Sequence, residues 1–399
     1  MKNLWGKNTR RSFMKTAIVT TRHGAQDDRI YYKQALSLAK HMDVTMIAPD
    51  DGDDLTWENG VQYRPIPRRR SPLGRLLSLL EATIAVRREA PNFCHVHDLD
   101  LVLAFPLLKL LTRARLIYDS HEAFPQQFLV RKRIPKPLRP VVAKVVDLFE
   151  KALVSLGDQV ITADDPTRDS FVRTGLPTTT VFNYPPLHIF ATEPARLEKE
   201  REKYATRLPI IYQGTVSPDR GLFHMIDALK LLKQSEPRVL LRIVGLRNEV
   251  LHQQAKQRAS EAGVEDCLEI VGWLPHLEMA YAMKSSLIGL VPLQPEEKYK
   301  RNIPIKVFEY MACGLPMVAA DLPSISHYLR SSGAGILYDS TRPEELARCV
   351  LELLANPKGL QKMGEAGLRA VNEQWNWSKM AEVLWQVYEN QGASPRRAT

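Results

Sequence analysis

Short apolar, β-branched runs alternate with longer amphipathic stretches along nearly the whole chain. The runs predict strands at Ala17–Thr20, Val44–Ala48, Val61–Ile66, Phe93–His97, Leu116–Tyr118, Val160–Thr162 and Thr180–Phe182. A second series follows at Ile210–Gln213, Leu240–Val244, Leu268–Val271, Leu287–Val291, Met317–Ala320 and Gly335–Tyr338. Helix-spaced apolar positions fill several intervals, among them Ile30–His41 and the segment LGRLLSLLEATIAVRR. Such alternation implies an α/β fold with parallel sheets covered on both faces, whose ligands meet the carboxyl ends of the strands. The loops to inspect are therefore those around Gly24, His97-Asp98, His121-Glu122, Asn183 and Gly214–Gly221.

The alternation breaks once. Pro185-Pro186 and the charged run Glu193–Lys203 read as a linker. This predicts a first domain over 1–190, a linker over 191–207, a second domain over 208–375 and a last helix within 376–391. Ser378 is the expected cap of that helix, taken as Lys379–Tyr388, and the polar, basic tail 392–399 is expected to be disordered. A length of 399 residues suits two cores better than one.

Composition changes the picture in three places. Cys94, Cys267, Cys313 and Cys349 form no CxxC pair and lie in apolar or helical settings, so buried free thiols in a reducing compartment are expected. No apolar run reaches the ~20 residues that span a bilayer. Thr9–Lys15 imitates a twin-arginine signal, but the following TAIVTT turns polar too soon and reads as the first strand. The expectation is a cytoplasmic protein, and the sequon Asn376-Trp377-Ser378 then carries little weight. The net charge of +10 is concentrated at Arg68–Arg70 and at Arg131–Arg139, each beside an apolar helical stripe. That pattern suits either an anionic membrane surface on the inner face of the plasma membrane or a solvated basic rim. Nucleic acid is disfavoured, since no aromatics interleave with the arginines.

The chemistry-bearing stretch is KRNIPIKVFEYMACGLPMVAAD, Lys300–Asp321. A polar loop with Pro304 opens a short helix that Gly314 closes, and Lys306 and Glu309 stand a turn apart on it. Free N–H groups and a lysine suit phosphate oxygens, and a carboxylate suits a pair of hydroxyls. Taken by itself, an ordinary amphipathic helix explains the pattern as well. The turn GTVSPDRG, Gly214–Gly221, adds Arg220 between a strand and a helix but is neither a Walker loop nor a dinucleotide fingerprint. Metal-ligand residue types occur in Cys94-His95-Val96-His97-Asp98, yet only His95 and His97 share a strand face, so no zinc site is expected. His121 follows a buried-looking strand with no second histidine at metalloprotease spacing.

In order, IIYQGTVSPDRGL, LRIVG, EIVGWLP, IPIKVFEYMACGLPMVAAD, GAGILYDSTRPEELA and WNWS resemble the retaining glycosyltransferases of the GT-B architecture, group 1 or family 4. DDRIYYKQALSLAK, VTMIAP, VHDLD, YDSHE and VFNYPP resemble the acceptor-side half of that family. The resemblance implies two Rossmann-like domains with parallel sheets facing across a cleft, and a C-terminal helix crossing back to the first domain. It implies a nucleotide-diphosphate sugar as donor substrate, no other cofactor, no metal, and a glycan or lipid-linked acceptor. Carried over by position, Glu309 holds the donor ribose, Arg220 grips the diphosphate with help from Lys306, and His121 is the active-site histidine. Gly24, Gly214, Thr215, Gly221, Gly272, Trp273 and the loop Asn302, Ile303, Pro304, Ile305 are the implied donor-binding positions. Three positions depart from the family: Arg301 replaces the first glutamate of its paired-glutamate element, Thr215 a basic residue, and Pro304 a glycine. A nucleotide-sugar epimerase of the same fold and a non-catalytic nucleotide-sugar-binding protein remain as alternatives. A nicotinamide dehydrogenase lacks its glycine fingerprint here.

Overall fold

The computed structural model describes residues 14–50, 60–69, 71–121, 124–131 and 133–393. The twin-arginine-like segment up to Phe13, most of the acidic run Asp50–Asp54, Arg70, Glu122, Lys132 and the tail from Ser394 lie outside the described residues. The chain divides into two compact units, residues 1–183 with 378–399, and residues 184–377.

The first unit is built on a seven-stranded sheet. Its strands are β1 Lys15–Val19, β2 Asp43–Asp50, β3 Val61–Pro67, β4 Phe93–Val96, β5 Arg115–Ser120, β6 Gln159–Thr162 and β7 Thr178–Thr180. They pair in parallel in the order β3-β2-β1-β4-β5-β6-β7. Strand order reverses between β1 and β4, and a crevice for ligands opens at such a reversal. Helices on both faces explain why β4, β5 and β6 are buried nearly throughout. The expected helix Ile30–His41 is instead a wide-turned Asp28–Ala35 segment running into Leu36–Leu38. Asp27 caps it, its carboxylate accepting from Arg29 N (2.9 Å) and Ile30 N (3.0 Å).

The second unit carries a six-stranded sheet, β8 Leu208–Gln213, β9 Val239–Val244, β10 Leu268–Val271, β11 Ile288–Val291, β12 Met317–Ala320 and β13 Gly335–Tyr338. Here too all pairs are parallel, in the order β10-β9-β8-β11-β12-β13, and the reversal falls between β8 and β11. Its core joins Ile210, Tyr212 and Ile288 of the sheet to Leu222, Ile226 and Leu229 of the helix Leu222–Ser235.

The stretch 191–207 is not a free linker. Pro194–Glu202 is a helix, Glu193 N donates to Tyr281 Oη (2.9 Å), and Arg196 pairs with Glu278 (2.6 Å). Upstream, the Tyr184 ring meets Phe308 edge-on at 4.7 Å and Phe190 is buried, so the second unit already starts at Tyr184. The polar run misleads because its charges pair sideways while a few aromatic residues anchor the segment.

The last helix, Trp377–Ala393, is longer than expected and starts before Ser378, which is therefore not its cap. From Ser378 it belongs to the first unit. Tyr388 is fully buried against Phe93, Trp385 stacks on His41 at 4.4 Å, and Gln391 Nε2 donates to Asp158 O (3.2 Å). Asn376 of the sequon is buried, its amide donating to Val371 O (2.8 Å) and Asn372 O (3.0 Å), so no glycan fits there. Cys94, Cys267 and Cys349 are buried free thiols, and Cys313 is half-buried.

Candidate active site

In the second unit the polar groups gather where β8 ends. Gly214 follows Gln213 with φ +101°, and Gly245 follows β9 with φ +106°. A Cβ on Gly245 would stand 2.4 Å from Gly214 O, so the two strand ends interlock only as glycines. Gly221 has φ +87°, and its missing Cβ would lie 2.2 Å from Pro292 O. Between them the turn Pro218–Arg220 holds Arg220 at the start of the helix Leu222–Ser235. Asp219 anchors this turn through Tyr299 Oη (2.7 Å) and the Lys298 ammonium. Although desolvation would raise its pKa, those hydrogen bonds and the Lys298 charge hold Asp219 well below the usual carboxylate range.

The helix Lys306–Ala312 is fixed beside this turn by Tyr310. Its hydroxyl lies 3.2 Å from Ile211 O and accepts from Gln213 N (3.2 Å), and its ring fills the space that a side chain at Gly289 would need. Glu309, one residue earlier, accepts from Gln213 Nε2. Lys306, one turn earlier, is 4 % exposed; its ammonium lies 3.5 Å from the centre of the Tyr212 ring and has no hydrogen-bond partner. Burial, with a further push from the Arg220 charge, holds its pKa well below that of an ordinary lysine. Val307 N bonds Pro304 O, so the N–H groups of Ile305 and Lys306 lie at the open end of the helix. A buried amine without a hydrogen-bond partner, a guanidinium and glycine turns at one strand end form a receptacle for a compact anion.

The structure thus brings Gly214, Thr215, Gly221, Arg220, Lys306 and Glu309 together. Gly272 lies one strand over, its carbonyl accepting from Gly245 N (3.1 Å), and nothing crowds its missing Cβ. Trp273 is exposed, with Arg247 over its ring at 5.4 Å. Asn302 is exposed and Ile303, Pro304 and Ile305 are half-buried, ahead of the Lys306 helix. Arg301, in place of the family's glutamate, is exposed at the end of Glu297–Arg301. Gln213, Tyr212, Tyr310 and Gly245 escaped the sequence reading; a polar residue closing an otherwise apolar strand was the available signal for Gln213.

In the first unit the loops after β1, β4 and β5 converge. Asp98 Oδ2 accepts from Thr20 Oγ1 (2.8 Å), Thr21 N (2.5 Å) and Arg22 N (3.1 Å), tying the Gly24 loop to the end of β4. His23 Nε2 stands 3.4 Å from Asp98 Oδ1 and 3.2 Å from His121 Nε2. His121 Nδ1 is 3.8 Å from Asp119 Oδ1. Beneath it, Asp119 accepts from Arg29 Nη2 (3.0 and 3.2 Å) and Gln34 Nε2 (2.5 Å). Burial would push the Asp119 pKa up, and the Arg29 guanidinium turns it well down. His95 binds Tyr388 Oη through Nδ1 (2.8 Å), and burial holds the pKa of His97 well below the ordinary imidazole value.

His95, His97 and Asp119 each offer a ligand atom within 4.8 Å of the others. The convergence absent from the Cys94–Asp98 segment alone is supplied by Asp119 from β5. The guanidinium on both Asp119 oxygens already neutralises that carboxylate and repels a cation, so the cluster fits a hydrogen-bonded scaffold better than a metal centre. Of the paired acids in loops, Asp27 serves as a helix cap and Asp28 pairs with Lys33 (2.7 Å).

Two family models match the chain: "Glycosyl transferase 4-like domain" over residues 31–185 and "Glycosyl transferases group 1" over residues 195–370. Among curated relatives, the amylovoran biosynthesis glycosyltransferase AmsK of Erwinia amylovora is 26 % identical over 47 % of this chain and 46 % of its own length. A phosphatidyl-myo-inositol mannosyltransferase of Mycobacterium leprae is 28 % identical over 44 % of this chain and 45 % of its own. The chain spans about half the length of these relatives. Among solved structures, a sucrose-phosphate synthase from Thermosynechococcus elongatus superposes with a TM-score of 0.76 at 17 % identity, covering 96 % of this chain and all of that one. Anabaena HepE in complex with UDP-glucose gives 0.70 at 14 % identity, over 94 % of this chain and all of that one. At such identities the likeness concerns the fold.

Proposed function

The chain belongs to the group 1, family 4 glycosyltransferases of GT-B architecture, and from that premise we propose that it moves a sugar from a nucleotide-diphosphate donor to a cell-envelope glycan acceptor, lipid-linked or polysaccharide, with retention of configuration. The observation that carries this reading is the meeting of Arg220, Lys306 and Glu309 where β8 ends in Gly214. The diphosphate lies against the Gly214 turn, and Glu309, oriented by Gln213, accepts from the ribose hydroxyls. As the anomeric bond breaks, negative charge grows on the diphosphate oxygens, and Arg220, Lys306 and the N–H groups of Ile305 and Lys306 take it up in place of a metal ion. Lys306 holds its proton weakly in the free protein, so an anion beside it draws a proton onto the amine.

On the first unit, His121 orients the donor sugar or the acceptor, with His23 and Asp119 fixing its ring. The acceptor-side activity of AmsK and of the phosphatidylinositol mannosyltransferase, as their names state it, supports an envelope glycan or lipid-linked acceptor. Among the described residues no helix is long and apolar enough to cross a membrane. Attachment to the inner membrane face through the basic stretches Arg68–Arg70 and Arg131–Arg139 completes the proposal.

Arg220→Ala and Glu309→Ala test it. Each variant should fold, since neither side chain is core, and each should lose roughly 10²–10³ in kcat for donor turnover. Normal turnover in both would refute the assignment. A non-catalytic binding protein is the reading favoured by Arg301; it would bind nucleotide sugar, seen as a thermal shift, yet neither transfer nor hydrolyse it.

A further inference from the structure

The first unit carries a concave apolar surface outside the histidine cluster. The helices Pro72–Glu89 and Arg139–Val154 flank it and the turn Asp100–Ala104 lines it, enclosing a cavity of about 480 Å³. That volume falls in the range of sites holding one small molecule. Leu76, Leu103, Val145 and Phe149 line it while remaining 46–64 % exposed. Single exposed apolar residues are ordinary, but four converging from three elements make a patch that needs a cover.

Arginines rim the same cavity: Arg22, Arg75 and Arg131. Among the described residues Arg75 and Arg131 form no ion pair, and Arg22 reaches Asp100 only at 4.0 Å. Arg64 and Arg69 of the same unit, by contrast, are closed onto Glu89 and Glu81. The two lining acids offer little opposition: burial raises the pKa of Asp100, and that of Glu150 to about 7. The Arg22 end also adjoins the candidate site, because Arg22 N is held by Asp98 and the next residue, His23, touches His121.

Building on the transferase reading, we propose that this groove binds a lipid-linked acceptor: one long hydrocarbon chain lies between the two helices, and its phosphate or diphosphate meets Arg22, Arg75 and Arg131. The charge complementarity selects this occupant. A second copy of this chain brings its own net +10 to the basic rim, and a flat bilayer face does not fill a concave pocket.

The test measures binding of geranylgeranyl diphosphate to the full chain in mild detergent, with geranylgeraniol, inorganic diphosphate and phosphatidylglycerol vesicles alongside. The nucleotide-induced thermal shift is recorded for every variant. The lipid diphosphate should bind at least about tenfold more tightly than the alcohol or the inorganic ion, and Phe149→Asp or Arg131→Ala should each weaken it roughly tenfold. The nucleotide response should not change. Undiminished lipid binding in both variants overturns the proposal. So does a wild-type protein that ignores the lipid diphosphate while binding anionic vesicles, which would make the surface a membrane face. Lipid binding without any nucleotide response upholds the groove and sinks the donor-site reading instead.

Discussion

At the end of β8 the buried polar group is an amine with no hydrogen-bond partner; at the ends of β4 and β5 buried carboxylates are surrounded by donors. Lys306 illustrates the first and Asp98 and Asp119 the second. Both places sit at the strand-order reversal of a parallel sheet, so topology alone does not separate them. The difference lies in how much of the electrostatics each unit completes for itself. Asp119 meets the Arg29 guanidinium and a donor from Gln34 beneath His121, although both ring nitrogens of the neighbouring buried His97 lack a hydrogen-bond partner. Lys306 has the Tyr212 ring face but no hydrogen-bond partner, and an added anion would supply one. The buried carboxylate finds its counter-charge within its own unit, whereas the buried amine finds only the Tyr212 ring face at close range.

Removing the charged centre of the first unit's network should have the largest effect. Asp119→Ala strands the buried Arg29 guanidinium, and the loss should be about 3–5 kcal/mol in denaturant unfolding. A change below 1 kcal/mol would mean that Arg29 does not depend on Asp119 for its counter-charge.

Glu150 sharpens the contrast within the first unit: it is a buried carboxyl that accepts from Tyr118 Oη at 2.7 Å, and that bond and the Lys151 charge only partly offset its burial. Because burial raises its folded pKa to about 7, the stability it contributes is complete below the unfolded value near 4.5. That contribution is lost as pH climbs through 7. Glu150→Gln should therefore flatten the stability profile between these pH values and exceed the wild type at pH 8 by roughly 1–3 kcal/mol. Parallel profiles for the two proteins would count against the shift.

The smallest effect is expected at the unsaturated site. Lys306→Met should stabilise the ligand-free protein by on the order of 1 kcal/mol, since it removes an amine buried without a hydrogen-bond partner. The folded pKa of Lys306 is depressed, so its favourable contribution is present above about pH 10 and lost as pH falls. The variant's advantage should accordingly grow as pH drops below that point. Thermal melts with and without UDP or GDP would show a higher midpoint and a smaller nucleotide shift; a lower midpoint in the apo protein would contradict the comparison.

Much of this was legible in the chain. The alternation of apolar runs located both sheets, because strands of a covered parallel sheet must be apolar on both faces. The Gly214–Gly221 turn and the Lys306–Glu309 helix were visible as local patterns, and the ordered set of motifs identified the family. The stretch 191–207 was misread, since paired surface charges look the same in sequence as a solvated linker. The partners Gln213, Tyr310, Asp119 and Tyr388 were not legible as such, because each works across a separation that only chain folding closes.

By itself, the sequence determined the doubly repeated strand–helix order and which residue types could face a diphosphate, for hydrophobic period and side-chain chemistry are local properties. Tertiary structure alone decided that Lys306 would be buried without a hydrogen-bond partner, that Asp119 would be neutralised by a residue ninety positions away, and that Arg75 and Arg131 beside one apolar groove would form no ion pair among the described residues. Charge state and hydrogen-bond satisfaction depend on which groups meet and how much water is left between them.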